Sequence, residues 1–271
     1  MKQRVITALL ITPFAIALFL FVPTPAFVAV IGTICGIGMW EWTRLSGMQA
    51  RPWRAGAVAL GVGAMLALYF TSNVMLWWSF IILGSLAWIG AIFWLRDFSY
   101  AASPTREHTA VKLAAGALAI LPAFAGLMRI HQTQAIPHTW ALYAMLLVWS
   151  ADTFAYFAGS RWGKVKLAPQ ISPGKTREGL YGALIGSGIV AAIGGWLLDV
   201  RGVTLALLVV VALISVAFSV VGDLFESLIK RHAGVKDSGN LFPGHGGVCD
   251  RLDGVFAALP FFALGKALLG L

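Results

Sequence analysis

Nine apolar segments, near 5–22, 26–40, 55–71, 74–95, 110–128, 138–158, 179–199, 203–224 and 249–269, leave this chain little choice of fold. A bilayer core takes about 20 apolar residues of helix. Inside it each backbone N–H and C=O must be bonded within the protein, which favours helices. Of the 271 residues 59% are hydrophobic and 11% charged, against about a quarter charged in a soluble domain. The reading is an all-α, polytopic transmembrane protein of nine spans, forming one integral membrane domain over 1–271. Lys2 and Arg4 precede the first apolar run as in a signal peptide. That run, Val5 to Val22, exceeds the usual apolar core of such peptides and is read as a retained helix. Cys35 and Cys249 are read as free thiols.

Basic residues orient the spans. One side receives Lys2 and Arg4; Arg44, Arg51 and Arg54; Arg96, Arg106 and Lys112; Arg161, Lys164, Lys166, Lys175 and Arg177; and Lys230, Arg231, Lys236 and Arg251. The other receives Arg129, Arg201 and Lys266. The alternation predicts a cytoplasmic N-terminus. It also makes the net charge of +9 a topology signal and not a nucleic-acid footprint.

Two polar segments fall on the cytoplasmic side of this scheme. In Trp149–Gly179, Asp152 lies within an apolar run, where a carboxylate is more often functional than a plain helix contact. Gly159, Arg161, Gly163, Lys164 and Lys166 read as a flexible basic loop suited to phosphate oxygens. Ser172-Pro-Gly-Lys175-Thr176 invites a Walker A reading, but Pro169 stands where the first glycine is needed, and the hydropathy provides no preceding strand. Lys175, Thr176 and Arg177, at the start of the seventh span, remain a candidate phosphate corner.

The second segment runs from Asp223 to Asp253. Asp223 and Glu226 are three apart, with Ser227 and Lys230 a turn on, and the helix is read as running on through Glu226 to Arg231. A charged helix end is the alternative for Glu226. Asp250 and Asp253 are also three apart, at the mouth of the last span. Five of eleven acidic residues thus gather at one face. Oxygen ligands without a His/Cys set suit a hard cation such as Mg2+, shared with substrate phosphates. Carboxylates with Lys and Arg beside them equip a site for phosphoryl or nucleotidyl transfer. His245, between glycines, is open to three roles: acid or base, phosphate donor, or turn cap. Gly246 and Gly247 suit close backbone approach to a ligand or a sharp turn.

Ser227, Lys230, Arg231, Lys236, Asp237, Pro243, His245, Gly246, Gly247, Asp250, Arg251 and Asp253 match, position by position, a pattern of the phosphatidate cytidylyltransferases (CDP-diacylglycerol synthases). Ala151-Asp152-Thr153, Gly159-Ser160-Arg161 and Ser172 to Gly179 resemble that family's second region. The resemblance covers 149–271, which it marks as the catalytic half; the first five spans match in hydrophobicity alone.

The resemblance implies transfer of CMP from CTP to phosphatidic acid, giving CDP-diacylglycerol and pyrophosphate for phospholipid synthesis. The site would open to the cytoplasm from a bacterial-type inner membrane, with membrane lipids as surroundings and no nucleic acid. It implies paired metals, Mg2+ and a second ion that is divalent or monovalent, on Asp223 and Asp250, with Asp152 and Asp253 as further ligands or outer-shell groups. Lys175, Arg177, Lys230, Arg231 and Lys236 are expected on phosphates, with Ser172, Thr176, Ser227, His245, Gly246, Gly247 and Arg251 in substrate binding. A phosphate nucleophile is already ionised, so His245 is expected to position ligand and not to act as base. Gly32, Gly36, Gly61 and Gly186 permit close helix packing within a chain or in a homodimer. A CTP-dependent lipid kinase and a transporter with a carboxylate ion path are the alternative functions.

Overall fold

The computed structural model describes residues 13–132, 138–241 and 246–271. The described chain is a helical bundle with one small hairpin. Helix α1 is described over 13–21. It is followed by α2 (Thr24–Leu45), α3 (Arg51–Phe70), α4 (Val74–Arg96), α5 (Arg106–Gln132) and α6 (Thr139–Trp162). Strands β1 (Lys166–Ala168) and β2 (Ser172–Thr176) lead into α7 (Arg177–Leu197), α8 (Gly202–His232) and α9 (Cys249–Leu268). Helices α2 to α8 are each long and apolar enough to cross a membrane. This is the architecture of an all-α polytopic membrane protein.

The outward faces fit lipid. Ile185, Ile189 and Ile193 on α7, and Val203, Leu207, Val210 and Ile214 on α8, recur at helical spacing and are exposed. The inward face of α7 carries small residues instead: Gly179, Ala183, Gly186, Ser187 and Ala191 are buried. A Cβ at Gly186 would stand 2.1 Å from the Phe154 ring of α6, and one at Gly182 would stand 2.3 Å from Ala158 Cβ. The missing side chains let α6 and α7 pack backbone to backbone, as small residues do between membrane helices. Gly36 and Gly61 are likewise spent on contacts within the chain, against Val62 and Met39, whereas Gly32 has open space beside it.

Helix α9 is the core of the bundle. It packs against α8, α5 and α4, burying Phe256, Ala257, Ala258, Leu259, Phe262 and Ala263. Its charged first turn is therefore held against the neighbouring helices.

Two sequence expectations need correction. The second apolar segment is not a short span ending near residue 40. Helix α2 continues through Glu41 and Arg44 to Leu45, and its last two turns bury Glu41, Trp42 and Thr43. The expected flexible loop shrinks to residues 163–165. Gly159 and Arg161 lie in the last turns of α6, and the chain then forms an antiparallel hairpin pairing Lys166 with Thr176 and Ala168 with Ser172. Ser172–Thr176 is itself a strand, so it is not the loop of a Walker A motif.

Candidate active site

Helix periodicity sets up the site. On α8, Ser227, Lys230 and Arg231 follow Asp223 by four, seven and eight residues, and so share its face. On α6, Asp152, Tyr156 and Gly159 likewise share one face. Helix α8 meets α9 where Gly222 touches Asp253: a Cβ at Gly222 would lie 2.3 Å from the Asp253 carbonyl oxygen. That bare backbone brings Asp223 beside the first turn of α9. Asp152 and Asp253 then each lie within electrostatic reach of Asp223 and of Lys175.

The hairpin supplies the fourth wall. Glu178, in the first turn of α7, accepts backbone N–H groups from Lys164 at 3.1 Å and Val165 at 3.2 Å. Thr176 caps α7 by accepting the Gly179 N–H at 3.1 Å, and Arg231 Nε donates to the Ile171 carbonyl at 3.3 Å. With both ends pinned, β2 carries Lys175 over the cavity. The cavity volume is about 690 Å3, within the range of small-molecule sites.

The cavity lining is both charged and balanced. Asp152, Asp223, Asp237, Asp250 and Asp253 face Lys175, Lys230, Arg231, Lys236 and Arg251 around it. Two lysines are paired in different ways. Lys175 pairs with Asp223, both partly open to the cavity. Lys230 lies between Glu226 and Asp250, 2.6 Å from Asp250 Oδ1. Asp250 Oδ2 accepts the N–H groups of Ser238 at 2.7 Å and Gly247 at 2.8 Å, and the Ser238 hydroxyl oxygen stands 2.8 Å from it. Asp253 Oδ1 accepts the Gly254 N–H at 2.7 Å. Among the described residues nothing hydrogen-bonds to the Asp152 carboxylate, which stands open to the cavity.

The sequence profile of the cytidylyltransferase family matches residues 2–268. This chain belongs to the cytidylyltransferase family. It is 39% identical to a phosphatidate cytidylyltransferase of Pseudomonas aeruginosa, over 97% of this chain and 96% of the relative. It is 37% identical to one of Haemophilus influenzae, over 97% of both chains, and 44% identical over 45% of both chains to one of Bacillus subtilis. The likeness therefore extends well beyond the C-terminal half in which the motifs are legible.

Within this cytidylyltransferase fold, most expected site residues converge. Asp152, Lys175, Thr176, Asp223, Ser227, Lys230, Arg231, Lys236, Asp250, Arg251 and Asp253 all line the one cavity. Ser172 and Arg177 do not. Ser172 is tied into the hairpin opposite Ala168, and Arg177 is exposed with its N–H on the Val165 carbonyl at 2.8 Å. Gly246 and Gly247 pack on Asp250 and do not line the cavity: a Cβ at Gly246, whose φ is +83°, would meet Asp250 Oδ2 at 2.4 Å. His245 lies outside the described residues.

Glu226 is no exposed helix end, since only 2% of its side chain is accessible. Sequence reasoning missed Ser238. It is fully buried, and a serine amid Lys, Asp and Gly carries no signal until its contact with Asp250 is seen.

Proposed function

We propose that this protein is a phosphatidate cytidylyltransferase, joining CTP to phosphatidic acid with release of pyrophosphate. The observation that carries the proposal is a cavity lined by carboxylates and cations in equal number, at one end of a bundle of membrane-length helices. Such a site can take a soluble triphosphate from water and a phosphate headgroup from the leaflet.

The charge balance bears on the metal. Five carboxylates already match five cations around the cavity, so a triphosphate and a lipid phosphate would enter without net attraction. Hard cations restore it. The donor set fits: Asp152, Asp223, Asp250 and Asp253 would hold Mg2+ and a second ion. Among the described residues no three such groups converge as a ready-made metal centre, so Mg2+ would need part of its shell from substrate phosphates. When bound, the metal supplies charge neutralisation and alignment of the phosphates.

The protein's own groups then do the rest. A phosphatidate oxygen attacks the α-phosphorus of CTP; one P–O bond forms and the bond to pyrophosphate breaks, with the electron pair leaving on pyrophosphate. Lys175, Arg231, Lys236 and Arg251 bind and orient phosphate oxygens and stabilise charge gathering on the leaving group. The nucleophile is an ionised phosphate, so no side chain has to remove a proton.

We further place the protein in a bacterial-type cytoplasmic membrane, with nine spans, the N-terminus inside and the cavity facing the cytoplasm. The distribution of Lys and Arg supports that orientation. The test is an assay of purified protein with phosphatidic acid and CTP labelled at the α-phosphate. Label is expected in the lipid product and pyrophosphate in solution; label confined to free CDP or CMP would sink the proposal.

A further inference from the structure

Glu41 sits in the last two turns of α2, in the half of the chain where no motif is legible. It is 7% exposed. A buried carboxylate is costly unless it is well bonded, and this one is. Oε1 accepts the Val248 N–H at 3.0 Å, while Oε2 accepts the Cys249 N–H at 2.9 Å and the Ser238 hydroxyl at 2.9 Å. Two of these donors are the cap and first residue of α9, where free N–H groups and the helix dipole favour an anion.

The carboxylate is also shaped into place. A Cβ at Gly239 would stand 2.2 Å from Glu41 Oε1. One at Gly247 would stand 2.3 and 2.4 Å from its two oxygens. Only bare backbone on both sides admits it. One turn further along α2, Arg44 donates to the Ser238 carbonyl at 2.8 Å, so α2 grips Ser238 through both its hydroxyl and its carbonyl.

Ser238 links this grip to the cavity. Its hydroxyl has a single proton and lies 2.9 Å from Glu41 and 2.8 Å from Asp250. With that proton on Glu41, Oγ is free to accept the Asp250 N–H at 3.3 Å. Asp250 Oδ2 keeps the N–H groups of Ser238 and Gly247. Without Glu41 the hydroxyl would turn to Asp250, and the α9 N–H groups would lose their acceptor.

We infer that Glu41 is a positioning residue: through Ser238 and the N-terminus of α9 it fixes where Asp250 stands at the cavity. This rests on the function proposed above for its catalytic consequence, but not for its structural one. Glu41 touches neither the cavity nor substrate, so its loss should lower turnover more than binding.

The test uses full-length protein in detergent or nanodiscs. Glu41→Gln places an amide N–H against backbone donors, and is expected to lower kcat roughly 10- to 100-fold, with KM for CTP and phosphatidate within about two-fold. Ser238→Ala should lower kcat in the same way. The double variant should be no worse than the poorer single, because both break one path. Cys249, fully buried beside Glu41 with its thiol on the Gly38 carbonyl at 3.2 Å, is a built-in reporter. In a Cys35→Ser background, Glu41→Gln should speed its labelling by a maleimide at least roughly ten-fold.

Unchanged kcat, additive losses, or a Cys249 that stays shielded would overturn the inference. If Glu41→Gln does not insert, Ser238→Ala carries the kinetic arm, with unchanged kcat again the overturning result. A wild-type protein that makes no CDP-diacylglycerol defeats the proposed function alone, since Cys249 labelling still reads the link from Glu41 to α9.

Discussion

Lys175 and Lys230 face the same cavity and each binds a carboxylate, yet their surroundings differ. Lys230 is 11% exposed and lies between Glu226 and Asp250. Lys175 is 24% exposed, rides on the rim hairpin and pairs with Asp223 alone. A buried cation between two buried anions is part of the architecture, because removing it leaves charge in a medium that cannot solvate it. A half-open pair is worth little to stability and can exchange its partner for a phosphate. The same residue type therefore has two functions, decided by burial. Lys230 holds Asp250 in place, and Lys175 is the one free to move toward substrate.

The largest effect should come from breaking the buried triad. Lys230→Met strands Glu226 and Asp250 and is expected to cost about 3–5 kcal/mol, read as a loss of folded protein in the membrane and a lowered unfolding midpoint in detergent. Glu226→Gln added to it should recover part of that loss. Lys230→Arg should also fall well below wild type, since a guanidinium fork is wider than the ammonium that now meets both carboxylates. If Lys230→Met folds as wild type and merely binds CTP poorly, the division between the two lysines collapses.

Next comes Asp223→Asn. Asp223 is half-buried and its pair with Lys175 is partly open, so folding should change by less than about 1 kcal/mol. Turnover should nonetheless fall on the order of a thousand-fold, because a proposed metal ligand becomes an amide. Lys175→Met should be milder, lowering kcat/KM for CTP roughly 100-fold with a similarly small change in stability. Steady-state kinetics beside a thermal melt of the same preparation separates the two. A large stability loss at Lys175 would show that the rim pair is architecture too.

Much of this arrangement is legible in the chain, and the rest is hidden for a physical reason. The ends of α4, expected at 74–95 and found at Val74–Arg96, follow from hydropathy and from Asn73, whose side chain accepts the Met75 and Leu76 N–H groups. The extension of α8 past Glu226 follows from the spacing of Asp223, Glu226 and Lys230. The hairpin does not: Ser-Pro-Gly-Lys-Thr has no apolar alternation, and its order comes from Glu178 and Arg231. Nor does the inward turn of Glu41. A Glu-Trp-Thr-Arg run after an apolar segment looks like a span leaving the membrane, and only the Ser238, Val248 and Cys249 donors, about 200 residues away, make it a buried anchor. The commitment of Lys230 to Asp250 is equally non-local. Local patterns report periodicity and caps; they do not report which charge meets which across the bundle.

The gentlest test of the contrast keeps the charge and changes its shape. Lys175→Arg puts a guanidinium on β2, where the cavity of about 690 Å3 offers room. The fork can still meet Asp223 and can bind phosphate oxygens in pairs, but it is wider and reaches differently from an ammonium. Folding should be unchanged within about 0.5 kcal/mol, and kcat/KM for CTP should fall by no more than roughly ten-fold. The measurement is the ratio between the two Lys→Arg variants in yield and in activity. Equal damage at Lys175 and Lys230 would mean that both lysines are shape-bound, and burial would no longer explain their difference.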